Sequence, residues 1–376
     1  MSGRLDAARR LIVKVGTNLI MDQAKGRIRR AWLEALADDI AELRQAEKDV
    51  IVVSSGAMAL GRRILGLERR TISMQARQAA AAAGQVRLSQ IWREAIERHG
   101  LTMAQVLLTL EDSESRRRYL NARSTLISLL EFGAVPVVND NDALASEVRF
   151  GDNDRLAGRL AQMVGADTLV LLSDVDGLYS GDPRRDPRAR LIETLDAVTP
   201  EVEAMAGPAP KGVGSGGMRT KIAAAKVALS AGAAMVIAQG KGYHPLKALN
   251  EGGPGTWFRP TASPLTARKQ WIASGLKPVG AVTVDAGALK ALIKGRNLLP
   301  AGVSAVEGEF QRGDAVVLRG PDGAERGRAL INYSADESRR IAGHKTSEIE
   351  ALLGYARGNA IIHSDDLVLI EGSPAS

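Results

Sequence analysis

Residues 10 to 15 are Arg10-Leu11-Ile12-Val13-Lys14-Val15, and Gly16-Thr17-Asn18 follow at once. A short apolar run bounded by such turn residues is typical of a strand buried on both faces of a parallel sheet. Five further apolar runs of this kind occur along the chain, and stretches with helical periodicity lie between them. This alternation predicts an α/β fold, a three-layer αβα sandwich around a mainly parallel sheet. The predicted strands cover residues 10–15, 50–54, 103–108, 134–138, 168–172 and 234–238, and the predicted helices cover 31–46, 57–66, 74–98, 116–132, 153–164 and 217–231.

Polar and glycine residues follow four of these strands directly. In a parallel sheet, ligands bind beyond the carboxyl ends of the strands, so residues at these positions are candidates for a site. Any one of the segments is also compatible with an ordinary turn, but together they predict a pocket at this edge. The segments are Gly16-Thr17-Asn18, Ser54-Ser55-Gly56-Ala57, Asn139-Asp140-Asn141-Asp142 and Ser173-Asp174-Val175-Asp176-Gly177.

The glycine-rich stretch Gly212–Lys221 precedes an alanine-rich helical pattern and predicts an anion site. Glycines let the backbone approach a phosphate, the N–H groups at a helix start point toward it, and Lys221 adds a charge. The stretch is not a Walker A loop, because Thr220 precedes the lysine instead of following it. A flexible surface turn is the alternative for such a loop.

Lys14 interrupts an otherwise apolar strand, where an ammonium group is costly unless an anion meets it. A lysine on an edge strand would instead extend its head into solvent. The strand-end position next to Gly16 favours a phosphate contact. We therefore expect Lys14 and Lys221 to approach a transferring phosphoryl group from different sides, with Mg²⁺ bridging the phosphates.

Composition excludes several kinds of protein. The 376 residues include no cysteine and four histidines, which excludes disulfides and cysteine zinc sites and disfavours a Ser-His-Asp triad. No apolar run reaches membrane-spanning length and the first residues lack the apolar core of a signal peptide, so a cytoplasmic protein without membrane contact is expected. The net charge of +7 suits anionic substrates.

The character of the sequence changes near Pro278, where short strands separated by glycine turns begin. This pattern predicts a compact, mainly β module, and hence two domains, 1–277 and 278–376. The second segment carries eleven basic and thirteen acidic residues. That balance argues against a strong phosphate-tracking surface, although an RNA-binding role for this module stays an alternative.

Six motifs, taken in order, resemble the amino-acid kinase family and, within it, the glutamate 5-kinases. The order and spacing hold over nearly all of residues 10–260, and the C-terminal module resembles the PUA domain that bacterial members often carry. The departure at Asp140, where many relatives have glutamate, is mild. The motifs are Val13-Lys14-Val15-Gly16-Thr17, Ser54-Ser55-Gly56-Ala57, Asn141-Asp142-Ala143, Phe150-Gly151-Asp152-Asn153-Asp154, Leu172–Tyr179 and Gly214–Lys221.

The resemblance implies a reaction and a set of residue roles. The reaction is ATP-dependent phosphorylation of the side-chain carboxylate of L-glutamate, which gives L-glutamyl 5-phosphate and ADP in the first step of proline biosynthesis. Mg²⁺ would be held chiefly by ATP and water, so no protein metal ligands are expected. The implied catalytic residues are Lys14, Lys221 and Asp154, and the implied glutamate-binding residues are Ser55, Asp142, Asp152 and Asn153. The implied nucleotide-binding residues are Lys14, Gly16, Gly56, Ser173, Asp174, Ser215, Gly216, Gly217, Met218, Arg219, Thr220 and Lys221.

Further properties follow from the resemblance alone. They are feedback inhibition by proline at the glutamate pocket, assembly into a homo-oligomer (dimer or tetramer), and channelling of the product to glutamyl-phosphate reductase. Kinases of acetylglutamate, aspartate, carbamate or uridine monophosphate share the fold and are alternatives. The Asn141-Asp142-Ala143 motif, the Gly151–Asp154 motif and the C-terminal module favour glutamate. The scarcity of histidine fits this reaction, because a carboxylate with a pKa of about 4.3 is already ionised and needs no general base.

Overall fold

The computed structural model of the chain describes residues 5–22, 26–68, 71–144, 152–207, 217–355 and 358–370. It divides into two compact units, Met1–Pro264 and Leu265–Ser376. The predicted boundary after residue 277 stays a prediction.

The first unit contains ten strands and ten helices among its described residues, with a 3-10 turn at Leu5–Ala7. The strands are β1 Arg10–Val15, β2 Met21–Asp22, β3 Arg27–Ile28, β4 Asp49–Ser54, β5 Met103–Leu108, β6 Val135–Asp140, β7 Thr168–Ser173, β8 Thr194–Leu195, β9 Ala234–Gln239 and β10 Gly255–Phe258. The helices are α1 Thr17–Ile20, α2 Arg30–Gln45, α3 Ala57–Ile64, α4 Met74–Glu97, α5 Leu110–Glu114, α6 Arg116–Glu131, α7 Asn153–Val164, α8 Pro200–Met205, α9 Met218–Ser230 and α10 Pro245–Asn250. All six predicted strands and all six predicted helices are confirmed, with ends that agree within two residues.

Eight of these strands form one sheet in the order β5-β6-β4-β1-β7-β9-β10-β8. The first six are mutually parallel, whereas β10 runs antiparallel to β9 and β8 pairs parallel with β10. β1 and β4 therefore lie side by side near the middle of the parallel part. Their carboxyl ends, and those of β6 and β7, bring the polar segments that follow each strand to one edge.

Each face of this sheet is covered by its own hydrophobic core. Leu11, Val13 and Val15 of β1 belong to one cluster with residues of α2 and α4. Ile12, on the opposite face, belongs to a second cluster with residues of α6, α7 and α9. The predicted three-layer sandwich is confirmed. Because side chains alternate along a strand, Lys14 lies on the same face as Ile12, which is the face covered by α7.

Helices α3 and α4 pack against each other through two glycines. A Cβ on Gly61 of α3 would lie 1.6 Å from the carbonyl oxygen of Ala80, and one on Gly84 of α4 would lie 1.8 Å from that of Ala57. The two backbones thus approach more closely than any side chain allows. This contact fixes the start of α3 against α4, next to the strand ends.

The second unit has a five-stranded sheet and its own core. Its sheet order is β12-β11-β13-β14-β15, with β11 and β13 parallel and the other neighbouring pairs antiparallel. Its strands are β11 Gly280–Val284, β12 Val303–Gly308, β13 Ala315–Arg319, β14 Glu325–Leu330 and β15 Leu367–Leu369. Its helices are α11 Pro264–Gly275, α12 Ala286–Ile293, α13 Ala335–Ile341 and α14 Ile349–Leu353, and 3-10 turns occur at Pro300–Gly302, Thr346–Glu348 and Ser364–Asp366.

Helix α11 packs within the second unit. Ile272 is fully buried and clusters with Ala315 and Leu330 of the sheet. The guanidinium of Arg268 donates to Oδ1 of Asp366 at 2.6 Å. In the described part of the chain, no helix is long and apolar enough to cross a membrane.

Candidate active site

A buried cluster of charges lies where β1, α7 and α9 meet. Nζ of Lys14 is 2.5 Å from Oδ1 of Asp154, and Nζ of Lys221 is 2.9 Å from Oδ2 of the same carboxylate. Asp152 lies further out, with Oδ1 at 3.8 Å from the ammonium of Lys14. Asp154 is completely buried, and the two lysines are 5% and 8% exposed. Two cations from different elements thus converge on one carboxylate.

The first turn of α7 positions Asp154. Asp152 is the N-cap residue, and its Oδ1 accepts the backbone N–H of Asp154 at 3.2 Å. Capping by an aspartate satisfies one of the free N–H groups at a helix start, and the helix dipole stabilises a carboxylate there. The sequence Asp152-Asn153-Asp154 therefore starts the helix and places Asp154 against Lys14.

The first turn of α9 supplies the other cation. Gly217 is the N-cap residue, and Oγ1 of Thr220 lies 2.8 Å from its carbonyl oxygen and 3.0 Å from Oδ2 of Asp154. Lys221 follows on the buried side of the helix, whereas Arg219 is exposed. Met218 is the first helical residue. The predicted nucleotide residues Ser215 and Gly216 lie outside the described residues, as does Gly151.

Electrostatics keep Asp154 and Lys14 charged. Burial alone would favour the neutral acid, but the ammonium groups of Lys14 and Lys221 outweigh it and hold the pKa of Asp154 well below its usual range. Burial likewise disfavours a charged Lys14, and the carboxylates of Asp154 and Asp152 overcome it and raise the pKa of the lysine. Asp154 is therefore ionised and unsuited to proton transfer at neutral pH.

Three side-chain amides form a network beside this cluster. Nδ2 of Asn153 lies within hydrogen-bond distance of the carbonyl oxygen of Ser54 (3.2 Å), Oγ of Ser55 (2.9 Å) and Oδ1 of Asn139 (2.9 Å). Nδ2 of Asn139 in turn donates to Oε1 of Gln85 at 2.8 Å. The network ties the ends of β4 and β6 to the start of α7 and to α4.

A cavity of roughly 260 Å³ opens next to this network. It lies between the start of α3, the middle of α4 and the strands β5 and β6 near their carboxyl ends. Its polar lining residues are Gln85, Gln105, Asp140, Asn141 and Asp142, and apolar residues such as Ala57 provide the rest. The structure thus places Asp142 in this cavity, among polar groups that suit a small zwitterion.

The remaining predicted nucleotide residues lie at the ends of neighbouring strands. Gly16 is the N-cap residue of α1, after β1, and Gly56 is that of α3, after β4. Gly56 has φ +117°, a value that favours glycine, and this turn directs the chain into α3. Ser173 ends β7 beside β1, and its hydroxyl donates to Oδ1 of Asp174 at 3.3 Å.

The described residues contain no group of three or more histidine, cysteine, aspartate or glutamate side chains placed to hold a metal ion. Oδ2 of Asp152 is nevertheless a buried acceptor without a hydrogen-bond partner among them. An acceptor of this kind can receive a hydrogen bond from a water molecule in the shell of an ion held elsewhere. Asp152 therefore fits Mg²⁺ that is bound by a phosphate ligand and contacts the protein through water.

Residues 9–239 match the sequence model of the Amino acid kinase family, and residues 280–353 match that of the PUA domain. The chain belongs to the amino acid kinase family.

Proteins named glutamate 5-kinase are similar to it over almost their whole length. The one from Paramagnetospirillum magneticum is 56% identical over 97% of this chain and 99% of its own. The one from Dinoroseobacter shibae is 54% identical over 97% of this chain and 99% of its own. Among solved structures, a carbamate kinase from Giardia lamblia bound to AMP-PNP aligns with 68% of this chain and 99% of its own, at a TM-score of 0.49 and 18% identity.

The amino acid kinase unit also contains a site residue, Gln85, that the sequence did not single out. Gln85 sits in an alanine-rich helix, where no local pattern distinguishes it. Asn139 lies near the end of β6, in a polar segment that the sequence does point out, but its partner Asn153 is 14 residues away in the chain. Both are found through the hydrogen bonds that the fold brings together.

Proposed function

We propose that the chain transfers the γ-phosphoryl group of ATP to the side-chain carboxylate of L-glutamate. The products are L-glutamyl 5-phosphate and ADP, and the reaction is the first step of proline biosynthesis. The observation that carries this proposal is the convergence of Lys14 and Lys221 on buried Asp154 at the carboxyl ends of the strands. The identity of 56% with a glutamate 5-kinase supports the choice of substrate.

The cluster supplies what phosphoryl transfer needs most, positive charge in a fixed place. Each ammonium group has three N–H donors, and one of them on each lysine is directed at Asp154. The others are available to phosphate oxygens. Because the site is buried and its geometry is set before ATP arrives, these charges stabilise the transition state without reorganisation. Asp154 acts by orienting both lysines.

The nucleophile needs no activation by the protein. A carboxylate oxygen of glutamate attacks the γ-phosphorus, the bond from phosphorus to the bridging oxygen breaks, and ADP leaves with the electron pair. What remains for the protein is to align the two anions and offset their repulsion. The low pKa of Asp154 agrees with this scheme, since the residue stays ionised and paired throughout.

On the nucleotide side, we assign the phosphates to the two lysines and to backbone N–H groups near Gly16 and Gly56. The start of α9, with Gly217, Met218, Arg219 and Thr220, is a helix N-terminus suited to an anion. We assign Ser173 and Asp174 to the same ligand, and Ser215 and Gly216 keep this role as a prediction.

On the glutamate side, we assign Ser55 and Asn153 to the reacting end of the substrate, because they adjoin the charge cluster. Asp142 lines the cavity and suits the α-ammonium group. Asp152 is assigned to the boundary between the substrates, where it also faces Lys14. Mg²⁺ would be held by the phosphates and water and would neutralise the charge that develops on them.

Other properties belong to the same proposal. They are a cytoplasmic location, feedback inhibition by proline at the glutamate pocket, a homo-oligomeric state and channelling to glutamyl-phosphate reductase.

The test is to trap the acyl phosphate with hydroxylamine and measure the hydroxamate. We expect product with L-glutamate that depends on ATP and Mg²⁺, and little product with acetylglutamate or aspartate. A Lys14→Met variant serves as the control for the site, and its rate should fall by about 100-fold or more, the usual cost of losing one preorganised charge. Turnover of acetylglutamate or aspartate without turnover of glutamate would contradict the proposal.

A further inference from the structure

The hydrogen bonds around Gln85 fix the orientation of its side-chain amide, and none of the roles proposed above involves this amide. Gln85 lines the cavity that also contains Asp140 and Asp142. Its Oε1 accepts a hydrogen bond from Nδ2 of Asn139 at 2.8 Å, while its Nε2 donates to no residue in the described part of the chain. An amide nitrogen carries two N–H donors, so this lining residue keeps donors for a ligand.

The orientation of Asn139 is fixed by a group that can only donate. Its Oδ1 accepts the backbone N–H of Asp140 at 2.9 Å. A backbone N–H cannot accept, so the oxygen of the Asn139 amide must lie on that side. Nδ2 of Asn139 is therefore the atom that meets Gln85, and the oxygen of Gln85 is the atom that receives it.

The orientation of Asn153 is fixed from the other end by a group that can only accept. Its Nδ2 is directed at the carbonyl oxygen of Ser54 at 3.2 Å and also donates to Oδ1 of Asn139 at 2.9 Å. The three amides Asn153, Asn139 and Gln85 thus form a chain of hydrogen bonds with a single direction. That direction ends at Nε2 of Gln85, a residue of the cavity lining.

We propose that Nε2 of Gln85 donates to the α-carboxylate of the bound amino acid and makes Gln85 a specificity-determining residue; this inference rests on the proposed function. An α-amino acid presents an ammonium and a carboxylate on one carbon. Asp140 and Asp142 suit the ammonium but would repel the carboxylate. Gln85 supplies the carboxylate with a neutral donor whose direction is set by the amide chain.

The Gln85→Glu variant isolates this donor. It keeps an oxygen to accept from Asn139, so the amide chain is retained, and it replaces the NH₂ group with an anionic oxygen. We expect the KM for glutamate to rise by at least about tenfold, the cost of losing a hydrogen bond to a charged group. The KM for ATP and kcat should change by less than about threefold, because neither depends on the α-carboxylate.

Gln90→Glu is the matched control. Gln90 lies on the same helix and is exposed, with Arg87 and Glu94 as its partners. The substitution makes the same change of charge outside the cavity, and its KM for glutamate should equal that of the unmodified chain.

An analogue of the substrate makes the test independent of the amount of folded enzyme. L-Isoglutamine keeps the reacting side-chain carboxylate but has a carboxamide in place of the α-carboxylate. The unmodified chain should prefer glutamate. In Gln85→Glu, the ratio of kcat/KM for glutamate to that for isoglutamine should shift toward isoglutamine by at least about tenfold, because the new carboxylate repels one ligand and accepts from the other.

The outcomes separate this inference from the proposed function. Hydroxamate formation from glutamate by the unmodified chain, with the KM and the ratio both shifted in Gln85→Glu and neither in Gln90→Glu, supports the inference. If the unmodified chain is active and the two variants behave alike, the inference is overturned and the proposed function stands. It is also overturned if the KM for ATP rises as much as that for glutamate, since Gln85 would then act on the whole site. An unmodified chain that is inactive with glutamate overturns both.

Discussion

Lys14 and Lys221 bind opposite oxygens of one buried carboxylate, with Nζ of Lys14 at 2.5 Å from Oδ1 of Asp154 and Nζ of Lys221 at 2.9 Å from Oδ2. One strand and one helix are thereby fixed relative to each other through α7, which carries the carboxylate. Each ammonium group makes one close contact with this carboxylate, so both keep further N–H donors for another anion. The arrangement both holds the fold together and prepares the site for a phosphate.

Removal of the shared carboxylate should cost more stability than removal of one lysine. Asp154→Asn leaves two buried ammonium groups without their common counter-ion, and breaking a buried ion pair in this way costs about 3–5 kcal/mol. Lys14→Met leaves Asp154 paired with Lys221 and removes a buried charge, so we expect a loss of about 1 kcal/mol or less. Urea denaturation of both variants measures the difference.

Both variants should lose activity, but only Asp154→Asn should lose most of its stability. Equal free energies of unfolding for the two variants would contradict the shared role of Asp154. Lys247→Met is a suitable control, because Lys247 is exposed and its ammonium group lies 3.9 Å from the exposed carboxylate of Glu42.

Asp154 and Lys14 should not titrate in the neutral range. The pKa of Asp154 is lowered, so its contribution to stability is present above about pH 4, the ordinary value of an aspartate, and is lost only as the pH falls through the lowered pKa. The pKa of Lys14 is raised, so its contribution is present below about pH 10.4 and is lost as the pH rises through the raised pKa.

The kcat for glutamate, at saturating Mg²⁺ and ATP, should therefore be flat between about pH 6 and pH 8. A pH series of the hydroxamate assay measures it. A bell-shaped profile centred in that range would show that some residue transfers a proton in the reaction, contrary to the proposed mechanism.

The parallel part of the fold could be predicted because each strand is an apolar run bounded by turn residues. β10 and β8 were not predicted as strands, since they have four and two residues, and such lengths carry no periodic signal. Their pairing depends on β9 being already in place. An antiparallel edge of this kind is decided by tertiary contacts.

The charge cluster could be predicted in part from sequence. Lys14 was conspicuous because a lysine is rare in an apolar strand, and Lys221 because it follows a glycine-rich loop. Their common partner Asp154 came from the resemblance. The amide chain could not be predicted, since Gln85 and Asn139 are 54 residues apart and nothing in the sequence around Gln85 distinguishes it.

The glycine contact between α3 and α4 should be essential for folding. A Cβ on Gly84 would lie 1.8 Å from the carbonyl oxygen of Ala57 and 2.5 Å from the backbone nitrogen of Gly61. Backbone atoms cannot yield as a flexible side chain can, so Gly84→Ala should lower the free energy of unfolding by about 3 kcal/mol, the upper range for overpacking. Thermal unfolding measures this loss.

Gly181→Ala, at a position with no atom within 4 Å of the new Cβ, is the control and should leave stability unchanged. Two variants with the same melting temperature would show that the helices can separate at little cost.

Gly158 sets the distance between α7 and α9. Its substitution by alanine should lower the activity more than the stability. Gly158 lies one helical turn after Asp154, and a Cβ on it would be 3.1 Å from the carbonyl oxygen and 3.3 Å from Cα of Ala224, which lies one turn after Thr220. Gly158→Ala must therefore push the helices apart by a few tenths of an ångström next to the charge cluster. Alanine also raises helix propensity by up to about 1 kcal/mol, which offsets the crowding. We expect a change in the free energy of unfolding of less than about 1 kcal/mol.

In contrast, kcat of Gly158→Ala should fall by about tenfold, since Lys221 and Asp154 move out of alignment. The measurement is kcat and the free energy of unfolding of the same variant, each compared with the unmodified chain. A kcat within about twofold of the unmodified chain would mean that the position of Lys221 does not depend on this helix contact.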